Sequence, residues 1–171
     1  AWAPGNQSTS IWKPENINEI TSRGIEAGIN SGFTLAGFQI QTITNYHYCK
    51  STYSKANSPN DAKLGKQQIY IPEHTLNAEL SANRWGFYLK YQFFFISDRY
   101  TSNDEMTLMP GYSLSNIIFG RRIKFGQIIL SLQFDLNNVF NLDYESIARR
   151  PMPGINKMIT IRLAFPGCDK K

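Results

Sequence analysis

The side chains best suited to proton transfer or metal binding near neutral pH are His47, His74, Cys49 and Cys168. Neither histidine has a cysteine or carboxylate at the spacing of a metal motif, and no Gly-rich phosphate loop or nucleophile elbow occurs. Asp135, Asn137 and Asp143 follow no calcium-loop spacing, so no metal and no cofactor are expected. Asp104-Glu105 reads as a solvated loop. With no nucleophile-and-base pair and no paired carboxylates to assemble, an enzyme is not expected. The net charge is +5 and the pI about 9.2, but the basic residues are scattered. Lys50, Lys55, Lys63 and Lys66 form the only loose cluster and read as a solvated loop, so nucleic acid is not an expected partner.

If these residues do no chemistry, the elements that carry them must hold the function. The sequence alternates with period two nearly throughout, the signature of strands with one apolar face. The first strand, about 22–33, sets Ile25, Ala27, Ile29 and Phe33 against Ser22, Gly24, Glu26, Gly28, Asn30 and Gly32. The second sets Phe38, Ile40, Tyr46 and Tyr48 against Gln39, Gln41, Asn45 and His47. In the third, Leu76, Ala78, Leu80 and Ala82 oppose Thr75, Asn77, Glu79, Ser81 and Asn83. The fourth sets Phe87, Leu89, Tyr91, Phe93 and Phe95 against Tyr88, Lys90, Gln92 and Asp98, with Phe94 and Ile96 blurring the pattern. A fifth, near 112–123, is irregular. The sixth is clean, with Ile128, Leu130, Leu132, Phe134 and Leu136 opposite Gln127, Ser131, Gln133, Asp135 and Asn137. The seventh sets Ile159, Ile161, Leu163 and Phe165 against Thr160, Arg162 and Ala164.

Short turns at 34–37 and 83–86 alternate with long polar loops near 55–66 and 101–111, the arrangement of outer-membrane barrels. Composition agrees: 42% of residues are hydrophobic, 13% aromatic and only 18% charged, which excludes a disordered chain. The longest apolar run found, Phe93-Phe94-Phe95-Ile96, is far too short for a membrane-spanning helix. Glu26, Glu79, Lys90, Asp135 and Arg162 fall on the polar faces, with Arg23 and Lys157 as exceptions near strand ends. Aromatics sort by end. Phe33, Phe38, Trp85, Phe87, Phe125 and Phe165 lie toward the short turns, and Tyr46, Tyr48, Tyr53, Tyr70, Tyr100, Tyr112 and Tyr144 toward the long loops, as two interfacial belts would require.

Trp12-Lys13-Pro14-Glu15-Asn16-Ile17 leading into Arg23-Gly24-Ile25-Glu26 resembles the W-x-P-E-N…x-G-x-E segment of the barrel part of TonB-dependent outer-membrane receptors. Leu136-Asn137-Asn138-Val139-Phe140-Asn141-Leu142-Asp143-Tyr144 resembles the same family's N-L-F-(N/D)-x-x-Y signature on the penultimate strand. Pro153-Gly154-Ile155-Asn156, followed by a strand closing on Phe165, is similar to its P-G-R and terminal-aromatic pattern. The sequence departs from that pattern at Ile155, where the family often has Arg, and in the tail after Phe165.

The resemblance implies an all-β fold of about seven antiparallel transmembrane strands, the C-terminal third of a barrel of about 22 strands. It places residues 1–19 in an extracellular loop, 20–165 in the wall and 166–171 in a periplasmic tail. It implies import of a scarce nutrient (iron chelate, haem, cobalamin or oligosaccharide) across the outer membrane. The expected partners are the remaining N-terminal strands and a plug, neither found in this chain, with TonB acting through the plug. Outer-membrane lipid or lipopolysaccharide and a surface lipoprotein complete the list. A passive porin-like or structural barrel segment is the alternative, and a soluble β-sandwich binding module the more distant one. By position, ligand contacts would come from Trp2, Trp12, Tyr53, Tyr100 and Arg149. By resemblance, Ile159, Ile161, Leu163 and Phe165 would be the signal read by the barrel-assembly machinery. Cys49 and Cys168 would lie a membrane apart, too far to bridge.

Overall fold

The computed structural model describes residues 2–4, 12–14, 19–55 and 62–165. Seven long strands dominate them: β1 (Ile20–Leu35), β2 (Phe38–Tyr53), β3 (His74–Arg84), β4 (Phe87–Ile96), β5 (Tyr112–Phe125), β6 (Ile128–Asn137) and β7 (Asn156–Ala164). They form one antiparallel sheet in chain order, an up-and-down meander. The shortest, β7, has 9 residues, enough for a tilted strand to cross a bilayer's hydrocarbon. Among the described residues β1 pairs only with β2 and β7 only with β6, so the described sheet is open at both edges.

Register explains the alternation strand by strand. Ile25, Ile29 and Phe33 lie on the same face as Tyr48, Thr44 and Ile40, and the row continues through Ala82, Leu89 and Phe119 to Phe134 and Ile159. The irregular fifth strand falls into place here: Ile117 and Phe119 join the apolar face, and Asn116 and Ile118 the other. Asp98 does not belong to the polar face of the fourth strand: it lies beyond the end of β4, where its Oδ1 accepts from the Gly111 backbone N–H at 2.5 Å.

The sheet is inside out by the standards of a soluble domain. Ser51, Ser81, Tyr88 and Asp135, all on the polar face, are buried, whereas Ile25, Ile29, Leu80, Leu89, Ile159 and Ile161 on the apolar face are exposed. A soluble β-sandwich would cover its apolar face with a second sheet; the described long strands form a single layer. A contiguous apolar surface of this kind needs a partner or a membrane.

The three short connections are two-residue turns. Ala36-Gly37 and Trp85-Gly86 both take positive φ at each position, the type I′ geometry whose twist matches paired strands. At the third, Gly126 alone has positive φ, at 57°. One glycine acts within the wall: Gly120 faces Tyr88 across the β4–β5 pair, and a Cβ there would overlap the Tyr88 ring and the Leu132 carbonyl. The phenol lies over the bare backbone and donates to Gln133 Oε1 at 2.9 Å, filling the gap a strand glycine leaves.

Gly120→Ala should therefore destabilise the folded wall by about 1–3 kcal/mol through overpacking, read as a lower urea midpoint of the receptor in detergent micelles. Adding Tyr88→Ala should recover part of that loss. Additivity of the two changes would show that the ring does not confine position 120.

Candidate functional site

Three connections, described over 54–55 and 62–73, over 97–111 and over 138–155, gather at the end of the sheet opposite the short turns. Polar contacts weld the first to the second. Glu105 accepts from Lys66 Nζ at 3.0 Å and from the Gln67 backbone N–H at 2.8 Å. Tyr53 donates its hydroxyl to Asn103 Oδ1 at 3.1 Å, and the Tyr70 backbone N–H donates to the Tyr100 carbonyl at 2.8 Å. These donated hydrogen bonds hold the Glu105 carboxyl below the usual carboxylate range, the backbone N–H of Gln67 contributing most. Asp104 is likewise lowered, chiefly by the Ser102 hydroxyl.

Arg99 joins the second connection to the third. Only 4% exposed, it donates through Nη2 to the Glu145 and Ser146 carbonyls at 2.9 and 3.1 Å. Its guanidinium sits 5.3 Å from the Tyr112 ring centre, and Tyr112 packs on Tyr144 with centroids 4.6 Å apart. Burial of Tyr144 raises its pKa. A cavity of about 410 Å³ lies between these connections, bordered by Met109, Tyr112, Leu142, Tyr144, Glu145 and Met152.

The Asn138-to-Tyr144 segment shows why asparagines stand there. Asn138 and Asn141 both take positive φ, 50° and 51°, a conformation asparagine tolerates because its short amide can bond the local backbone. Asn138 Oδ1 accepts from the Leu142 N–H at 2.9 Å while its Nδ2 donates to the Leu142 carbonyl at 2.9 Å. Asn141 Oδ1 accepts from the Ile155 N–H at 2.8 Å. The two residues fold the chain back from β6 toward β7.

The positions singled out from sequence do not converge on one pocket. Tyr53 is buried beneath the first two connections, where it acts as a post. Tyr100 pairs with Leu108 in a two-residue strand of the second connection. Arg149 is exposed in the third, at φ 63°, its backbone N–H bonded to Glu145 Oε2 at 2.8 Å. Trp2 and Trp12 lie in the paired segments Trp2–Pro4 and Trp12–Pro14, opposite Pro14 and Pro4 respectively. Ile159, Ile161 and Leu163 line the exposed apolar face of edge strand β7, and Phe165, also exposed, follows its last residue. The tail 166–171, Cys168 within it, lies outside the described residues. Tyr53, Tyr112 and Tyr144 pack under the loops, so Tyr46 and Tyr48 carry the apolar-face belt at this end, flanking His74.

The polar face carries a ladder of paired groups. Lys90 Nζ lies 2.9 Å from Glu79 Oε1, Gln92 donates to Glu79 Oε2 at 2.9 Å, and His47 Nε2 is 3.4 Å from Glu26. Asp135 is 3% exposed; Oδ1 accepts from Gln133 at 2.7 Å, but Oδ2 has no hydrogen-bond partner among the described residues. No cluster of three metal-ligating side chains occurs among them. Arg99 and Glu105 carried no sequence signal, because each works through a partner some 38 to 47 residues away.

Because the folded-state pKa of Glu105 is depressed from its ordinary value of about 4.5, its contribution is present above that value and fades as pH falls through the lower folded one. Amide exchange in 62–67 and 102–107 should be protected at pH 7 and open below that range. Glu105→Gln should raise exchange there several-fold at pH 7 and flatten the pH response. An unchanged pH response in the variant would remove Glu105 as the tie.

The family model described as "TonB dependent receptor-like, beta-barrel" matches residues 2–142. Among solved structures, the ferric preacinetobactin receptor BauA of Acinetobacter baumannii superposes with a TM-score of 0.60 at 11% identity, over 84% of this chain and 27% of that one. The chain thus spans about a quarter of that receptor's length, and the likeness at this identity is one of fold. No curated protein sequence matches the chain. A seven-strand wall with its apolar face outward, short turns at one end and welded loops at the other, matched over residues 2–142 by that model, belongs to the TonB-dependent receptor β-barrel family.

Proposed function

We propose that this chain forms the C-terminal third of an outer-membrane receptor that imports a scarce nutrient with energy delivered through TonB. The observation that carries the reading is the pairing of an open-edged wall with family membership. In hydrocarbon, each unsatisfied backbone group costs several kcal/mol, so β1 and β7 need the missing strands on either side. Residues 1–19 then belong to the cell-surface loops, 20–165 to the wall and 166–171 to the periplasm. The polar face lines the lumen, where a plug would supply the donor that Asp135 Oδ2 lacks. The loop end faces the medium, and Trp2, Trp12, Tyr53, Tyr100 and Arg149 are the proposed ligand-facing set, Tyr53 as the post that positions its neighbours. An iron chelate, as BauA's name gives for that receptor, is one candidate cargo. Haem, cobalamin and oligosaccharides are the others. Lipopolysaccharide, and a surface lipoprotein, would meet the loop end.

Uptake by cells carrying the full receptor, with each cargo class labelled in turn, tests this. Saturable uptake of one class that stops when TonB is deleted is expected. Uptake that persists without TonB would instead make the barrel a passive pore.

Ile159, Ile161, Leu163 and Phe165 are proposed as the assembly signal, presented on an edge strand with its outer side unpaired. Truncation before Ile159 should abolish insertion, measured as loss of the receptor from the outer-membrane fraction. Replacing the four apolar residues by Ser with the strand kept should do the same. Normal insertion of the Ser variant would show that strand length, not these side chains, is read.

A further inference from the structure

One lateral row on the apolar face brings two arginines together away from the loop end. It runs Arg84, Phe87, Arg121, Leu132 and Ile161 across β3 to β7, each residue directly opposite the next. Two guanidiniums therefore stand on the surface that meets lipid, with one phenylalanine between them. Two strand spacings put their backbones about 10 Å apart. Arg84 lies 4.8 Å from the Phe38 ring centre and 3.8 Å from that of Trp85, and Arg121 lies 4.5 Å from that of Phe87.

Among the described residues neither arginine forms a salt bridge, and Arg84 Nε is buried with no hydrogen-bond partner. Stacking occupies the faces of a guanidinium. The Nη donors along its edge remain available for an anion, whereas Arg84 Nε is enclosed. An unpaired Arg on the lipid face of a barrel costs about 2–4 kcal/mol at the midplane and about 0–1 near the interface, and an in-plane anion would offset that cost. The row sits toward the short-turn end, beside Trp85, which is 79% exposed. Below it, Leu89 and Phe119 continue the apolar face, and Phe87 stacks on Phe119 with centroids 6.0 Å apart.

We propose that Arg84 and Arg121, bracketing Phe87, bind the phosphodiester of a glycerophospholipid in the membrane leaflet at the short-turn end. The acyl chains of that lipid run along Leu89, Phe119 and Phe134. Charge complementarity selects the occupant: the site offers two cations without a carboxylate, directly above an apolar surface. The proposal rests on the reading that this face meets lipid.

Native mass spectrometry of the delipidated full receptor, titrated with dioleoyl phosphatidylglycerol, tests it. The wild type should bind one molecule that survives gentle activation, and the Arg84→Gln/Arg121→Gln variant should bind it about tenfold more weakly or lose it. Dioleoylglycerol, with the same chains and no phosphate, should not occupy the site, and inorganic phosphate alone should compete poorly. Equal retention by wild type and variant would overturn the site, as would equal binding of dioleoylglycerol. Tighter, Arg84- and Arg121-dependent binding of lipid A would overturn the assignment to a glycerophospholipid. Fractionation separates this from the underlying reading: if the receptor is absent from the outer membrane, the lipid-facing assignment itself fails.

Discussion

Hydrocarbon offers no hydrogen bonds, so every backbone N–H and C=O in a spanning sheet must be met by a neighbouring strand. That constraint organises this chain. It accounts for strands paired over nearly their full lengths, for two-residue turns that waste no backbone, and for the placement of irregular structure beyond the strand ends. It also makes the open edges of β1 and β7 the most consequential feature of the sheet. The seven strands satisfy one another, and only further strands can satisfy the two sides left over.

The same constraint divides labour between the faces. Apolar side chains can point outward singly, since the surroundings supply their contacts, and few large side chains need burial within the chain. The polar face has to satisfy itself, and it does so through short lateral links: Glu79 with Lys90 and Gln92, Tyr88 with Gln133, Gln133 with Asp135. Tyr88 serves both needs, covering the bare backbone at Gly120 and anchoring the amide ladder. Rigidity at the loop end comes by other means. Buried Arg99 ties carbonyls of a distant connection, and Glu105 ties an ammonium and a backbone amide, so the connections form one surface.

Much of the wall was legible in the sequence because a strand's faces are set by a period of two, which needs no knowledge of neighbours. Ile25, Ala27, Ile29 and Phe33 share a face in whatever sheet they enter. The fifth strand resisted, because Asn116, Ile117, Ile118 and Phe119 alternate only weakly in polarity; pairing with Leu89 and Phe134 decides which of them faces outward. The belts were half legible. Position along the chain puts Tyr53, Tyr112 and Tyr144 at the loop end, but loop packing turns them away from the apolar surface. Arg121 shares that ambiguity: its face depends on register, and its tolerance on the Phe87 ring.

The sequence by itself determined the strands, the alternating faces of all but the fifth, the turn positions at Ala36-Gly37 and Trp85-Gly86, and the asparagines at 138 and 141 that suit left-handed backbone. All of these are local, fixed by dihedral preference and side-chain period within a few residues. Tertiary structure alone decided what meets across the sheet and between the loops: Tyr88 over Gly120, Arg99 on Glu145 and Ser146, Glu105 on Lys66, and the row joining Arg84 to Arg121. Those links join residues from 32 to 47 positions apart. Register fixes them, and register comes from the sum of many weak pairings rather than from any single residue.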